Sequence, residues 1–139
     1  MTDSQAAEVT SIGGPGSERF SAAHHLRQRE GFLRCYEEGR SQHGRMVVVF
    51  GRARGDAGPW RLGITATRKL GKAVVRNKLR RRVRECIRRH GAGLAPGWDI
   101  VVNLKRCAIE AAPDVFTRDL CQALRRLGFD VAATDQPPR

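Results

Sequence analysis

Eleven basic side chains stand between positions 68 and 89 (Arg68, Lys69, Lys72, Arg76, Lys78, Arg80, Arg81, Arg82, Arg84, Arg88 and Arg89), against one acid, Glu85. The other residues carry 15 basic and 13 acidic side chains, so nearly all of the formal charge of +12 belongs to this one segment. Charge confined to one element marks a surface that meets a polyanion. Guanidinium groups in series suit a phosphate backbone, because each can grip phosphate oxygens bidentately and each neutralised phosphate releases counterions. Asn77 adds a donor and an acceptor that can fix register. Arg68, Lys69 and Lys72 put further charge beside a helix start, which itself favours anions. The alternative is a solvated helix face, but such faces usually mix signs and this one holds a single acid.

A second surface follows from alternation. If Leu62, Ile64 and Ala66 point to a core, Gly63, Thr65 and Thr67 point the other way and leave a small, polar face. Val48 and Phe50 share one side of a neighbouring run, and Phe32 and Tyr36, four apart, share one face of a helix. Together these six residues, Phe32, Tyr36, Val48, Phe50, Thr65 and Thr67, can line a cleft where bases stack on aromatic rings. Aromatics at i, i+4 are more often core, however, and the pattern alone leaves open which face Val48 and Phe50 take.

Other chemistry is weakly represented. His24, His25, His43 and His90 lack metal-ligand spacing, and Cys86 with His90 is a lone i, i+4 pair. Cys35, Cys86, Cys107 and Cys121 contain no C-x-x-C pair and read as buried or inert thiols. No carboxylate cluster accompanies the basic segment, so the chain offers nothing to hold two metals for phosphodiester cleavage. No catalytic residue and no metal ligand is expected in the protein itself.

The elements that must position these groups are legible in outline. With 139 residues and 40% hydrophobic content the chain fits one folded domain, expected at 21–130 between flexible tails at 1–20 and 131–139, which are rich in Gly, Ser, Ala and Pro. The absence of a long apolar run or a signal-like start predicts a soluble, cytoplasmic protein. Leu26, Phe32, Leu33 and Tyr36 fit a short helix stopped by Gly39, with that glycine in the left-handed region. Residues 46–50 and 60–67 read as an antiparallel pair across the turn-rich stretch 55–59, and 98–104 as a third strand. From Lys72 to His90 the period is helical: Val75, Leu79, Val83, Cys86 and Ile87 fall in a sector of about 120°, with Arg76, Asn77, Arg80, Arg81, Arg84 and Arg88 in the adjoining one. Pro113 opens a last helix carrying Phe116, Leu120, Leu124 and Leu127. The order α-β-β-α-β-α describes an α/β sandwich.

The run from Arg68 to Glu85, R-K-L-G-K-A-V-V-R-N-K-L-R-R-R-V-R-E, resembles the signature of the protein subunit of bacterial ribonuclease P. The likeness extends from Leu26 through Phe32-x-x-x-Tyr36-x-x-Gly39 and Arg61-x-Gly63-Ile64-Thr65-x-Thr67 to about Leu127. It implies an α+β two-layer sandwich like domain 2 of ribosomal protein S5, with a left-handed β-α-β crossover where the general rule predicts a right-handed one. It implies that Arg76, Asn77, Lys78, Arg80, Arg81 and Arg84 dock on a catalytic RNA, and that the cleft of Phe32, Tyr36, Val48, Phe50, Thr65 and Thr67 receives the 5′ leader of precursor tRNA. It also implies that hydrolysis belongs to the RNA with Mg2+, bound by RNA and substrate and not by the protein. Lys78 stands where the family's R-N-R triplet has its second arginine and keeps the charge without the planar fork. A leucine-zipper basic region would need a heptad helix downstream, where Gly91, Gly93 and Pro96 stand instead. A ribosomal protein would share the basic helix, and composition does not separate one structured RNA from another.

Overall fold

The computed structural model describes residues 24–129 and Val131. Most of the two expected tails therefore lies outside the described residues, while Val131 is itself buried in the core. In chain order come helix α1 (Arg29–Glu38), strands β1 (Arg40–His43), β2 (Val47–Ala53) and β3 (Arg61–Thr65), helix α2 (Ala73–His90), strand β4 (Trp98–Leu104) and helix α3 (Pro113–Arg126). The mixed α+β class agrees with the sequence reading; β1, whose Arg-Ser-Gln-His run has no apolar alternation, is an added strand. No helix among the described residues is long and apolar enough to cross a membrane.

The sheet order is β1-β2-β4-β3, with β2 antiparallel to both neighbours and β3 parallel to β4. The expected pairing of β2 with β3 is thus corrected: β4 lies between them. The reason is burial, because Ile100, Val101 and Val102 are fully enclosed and a strand apolar on both faces belongs at the centre of a sheet.

Alternation assigns the two faces. Val47, Val49, Leu62, Ile64, Ile100 and Val102 join the main core with Leu79, Val83, Cys86 and Ile87 of α2 and Phe116, Leu120, Cys121 and Leu124 of α3. Val101 faces the other way and packs with Leu26, Phe32 and Cys35, bordered by Tyr36 and Phe50. Helices α2 and α3 therefore cover one face and the short α1 lies across the other.

Two local expectations change. Leu26 is not helical: its amide donates to the Leu62 carbonyl at 3.0 Å and His25 bridges Leu62, so this segment runs along the free edge of β3. Gly39 ends α1 but at φ −85°, outside the left-handed region. Its glycine is needed for close approach instead, since a Cβ there would stand 2.6 Å from the carbonyl oxygens of both Cys35 and Gly51. Of the four cysteines, Cys107 is exposed and donates to the Arg45 carbonyl at 2.8 Å, while the other three are buried.

Candidate nucleic-acid interface

Helix α2 is anchored by its apolar stripe, and this aims the adjoining cationic stripe outward. Lys72, Asn77, Lys78, Arg81 and Arg88 are exposed, as are Arg68 and Lys69 in the 3₁₀ turn Arg68–Leu70 just before the helix; Arg76 and Arg84 are half-buried. Arg80 departs from the expectation of an outward side chain. It is buried, and its Nη1 donates to Asn77 Oδ1 at 2.8 Å. On the helical projection Arg80 lies about 20° from Ile87, at the border of the apolar sector, which explains its burial. Its bond engages the Asn77 side-chain carbonyl, and Asn77 itself is exposed. Lys78 sits about 60° beyond Arg81, off the main stripe.

The electrostatics of this face are those of crowded like charge. Burial, then Arg81 and Arg80, push the Arg84 guanidinium below its usual pKa. An arriving phosphate would relieve that repulsion. Arg88 carries its own counter-ion, donating through Nε to Glu85 Oε1 at 3.0 Å and through Nη2 to Glu85 Oε2. Arg82 turns to the protein and donates to the carbonyls of Ala111 and Ala108 at 3.1 and 3.4 Å, tying α2 to the segment that leads into α3.

On the opposite sheet face, register sets Val48, Asn103 and Thr65 side by side in one row and Phe50, Val101 and Gly63 in the next. Helix α1 covers the second row. The Phe32 ring closes over Gly63 and is buried, so it serves as the floor of the cleft and not as an open stacking surface. Tyr36 is half-buried and meets Phe50 edge-on, ring centroids 4.8 Å apart at 78°. Its hydroxyl donates to Asn103 Oδ1 at 3.0 Å and lies 3.1 Å from Thr65 Oγ1. With its one proton committed to Asn103, the phenol accepts from Thr65. Thr65 is buried, so its hydroxyl positions Tyr36 and does not face a ligand. Val48 and Phe50 remain partly open along the groove, whereas Thr67, expected there, stands past the end of β3 and is half-buried at the start of the 3₁₀ turn. Asn103 is the member that sequence reading missed. The available signal was two polar residues, Asp99 and Asn103, four apart in an otherwise apolar strand and hence on one face.

Among the described residues no three His, Cys, Asp or Glu side chains gather as metal ligands.

The sequence profile of the ribonuclease P family matches residues 20–128. The chain is 41% identical over 105 residues to the ribonuclease P protein component of Desulfovibrio desulfuricans, spanning 73% of this chain and 81% of that one. Its fold is similar to the Staphylococcus aureus RNase P protein, with TM-score 0.71 and 29% identity over 76% of this chain and 96% of the other. The Thermotoga maritima RNase P protein superposes with TM-score 0.67 and 37% identity over 73% and 96%.

Proposed function

The chain belongs to the ribonuclease P protein family, and from that premise we propose that the arginine face of α2 docks on the enzyme's catalytic RNA while the cleft beside α1 receives the 5′ leader of precursor tRNA. The role is in 5′ processing of tRNA. One observation carries the division of labour: α2, which bears the cationic stripe, packs on one face of the sheet, while the uncharged Tyr36, Val48, Phe50 and Asn103 lie together on the other. The cationic face suits the dense phosphates of a folded RNA, and its arginines supply affinity that falls with salt. The groove suits a single strand whose bases stack on partly open rings, with little dependence on sequence.

In this reading the protein holds substrate and RNA together and activates no water. Mg2+ supplies the Lewis-acid and nucleophile-generating chemistry from sites on the RNA and substrate. Such an assembly works where tRNA is matured, in the cytoplasm.

The test combines purified full-length protein with its cognate RNA, Mg2+ and precursor tRNA. Leader removal at the mature 5′ end is expected only when the RNA is present, with a protein-dependent gain in affinity that grows with leader length. Cleavage by the protein after ribonuclease pretreatment, or a gain independent of the leader, refutes the assignment.

A further inference from the structure

Two thiols meet where α2 packs on α3. Cys86 lies on the apolar stripe of α2 and Cys121 on the inward face of α3, with their Sγ atoms 3.8 Å apart. Both side chains are buried in the main core, and one S–H is directed at the other sulfur. The remaining two cysteines stand elsewhere. Cys35 packs on the other face of the sheet and donates to the Asp99 carbonyl at 3.6 Å, while the exposed Cys107 donates to the Arg45 carbonyl.

While the core is closed the pair is protected. The Cys121 thiol first, and then burial, push the Cys86 pKa up, so its thiolate is scarce. Chemistry at the pair therefore waits on opening of the α2–α3 interface. The geometry needed afterwards is close at hand: disulfide sulfurs stand about 2.05 Å apart, so from 3.8 Å the two must approach by roughly 1.8 Å, within reach of side-chain rotation. Such a bond would leave the RNA-facing side of α2 alone. On the helical projection Cys86 lies about 80° or more from Arg76, Arg80, Arg81, Arg84 and Arg88.

We propose that Cys86 and Cys121 are a site of oxidative modification, where hydrogen peroxide closes a reversible disulfide that ties α2 to α3 and steadies the fold. One sulfur takes an oxygen atom from the peroxide and becomes a sulfenic acid, the O–O bond breaking with release of water. The second thiol attacks that sulfur. The S–S bond forms as the S–O bond breaks, and the hydroxyl leaves with the thiol proton as a second water. Two electrons pass from the pair to the peroxide, and a dithiol returns them by exchange. The bond joins positions 35 apart in sequence and so restricts the unfolded chain. Neither the bond nor its effect on stability depends on what α2 docks upon.

The experiment treats full-length protein carrying Cys107→Ser, which removes the exposed thiol, with hydrogen peroxide in urea below the unfolding transition, where the core opens transiently. The intact mass should fall by about 2 Da, the two hydrogens lost in forming a disulfide. Peptide mapping without reductant should join the peptides of Cys86 and Cys121, and oxidation should run slower without urea. After removal of urea the thermal midpoint should stand about 5–10 °C above that of the reduced protein, and dithiothreitol should reverse every change. Cys86→Ala in the same background should abolish the mass loss. Should that variant not fold, the peptide map of the parent protein still decides. Oxygen adducts on Cys86 or Cys121 without a link between them, a bond to Cys35 instead, or a midpoint that falls on oxidation overturns the proposal.

Discussion

The ring of Phe32 occupies the space that a side chain at Gly63 would need: a Cβ there would lie 2.4 Å from Phe32 Cζ. Helix α1 docks on the sheet through this contact, so the two residues are one packing unit. Gly63→Ala should displace the ring and cost about 1–3 kcal/mol of folding stability, the range for overpacking. Denaturant unfolding measures it. A neutral result would mean that α1 shifts freely on the sheet.

Phe32 and Phe50 should then fail differently on truncation. Phe32→Ala removes a buried ring, which costs about 3–5 kcal/mol of stability and weakens precursor and mature tRNA alike. Phe50 stays half-exposed at the groove, so Phe50→Ala should cost about 1–3 kcal/mol in binding of leader-containing RNA, with little effect on mature tRNA. Paired affinity and unfolding measurements separate the two, and equal damage to both ligands by Phe50→Ala would move that ring into the core.

The contrast shows where sequence reading stops. Alternation places Thr65 opposite Leu62 and Ile64, and helical spacing puts Phe32 and Tyr36 on one face; both relations are present, while Thr67 lies past the end of β3. Depth is not legible, because a period of 2 or 3.6 assigns direction and not cover. Phe32 and Thr65 are enclosed only because α1 crosses the sheet, a tertiary fact. Asn103 completes the Tyr36 network from a strand 67 residues away, and no local pattern announces that partnership. The central place of β4 is legible in principle, since its run of Ile100, Val101 and Val102 needs cover on two faces. The turn-rich stretch before β3 suggests a hairpin, but there the loop is instead held by Arg54, which binds Asp56, the Pro59 carbonyl and Asp99.

Tyr36→Phe deletes one hydroxyl that links α1 to β3 and β4. The Asn103 carbonyl loses its donor and Thr65 its acceptor, so stability should fall by about 1–2 kcal/mol, more than a single exposed hydrogen bond is worth. The aromatic pairing with Phe50 is untouched. Leader binding should therefore fall much less than in Phe50→Ala, a difference that direct titration with leader-bearing precursor reads out.

His25 gives the fold a pH dependence of known sign. Burial first, then Arg27, Arg84 and His24, lower its pKa below the ordinary value. The folded state thus binds this proton more weakly than the unfolded chain. The associated stability is present above the unfolded pKa near 6.5 and is lost as pH falls through the lower folded value. Unfolding midpoints should drop on acidification below about pH 6.5, and the drop should shrink in His25→Gln. An unchanged slope in that variant would assign the effect to other groups.

Arg80 and Arg81 are adjacent in sequence and should behave unlike each other. Arg81 is exposed on the cationic face, so Arg81→Ala should leave the fold intact. It should weaken docking on the catalytic RNA and lower the magnitude of the log–log salt slope by roughly one for each phosphate no longer neutralised. Arg80 is buried with its guanidinium on Asn77. Arg80→Ala should therefore also reduce folding stability, by about 1–3 kcal/mol, through the missing stem packing and an Asn77 left without its partner. Titrations at several salt concentrations, set beside thermal unfolding, distinguish the two roles. An unchanged slope for Arg81→Ala would reduce that face of α2 to a solvated surface.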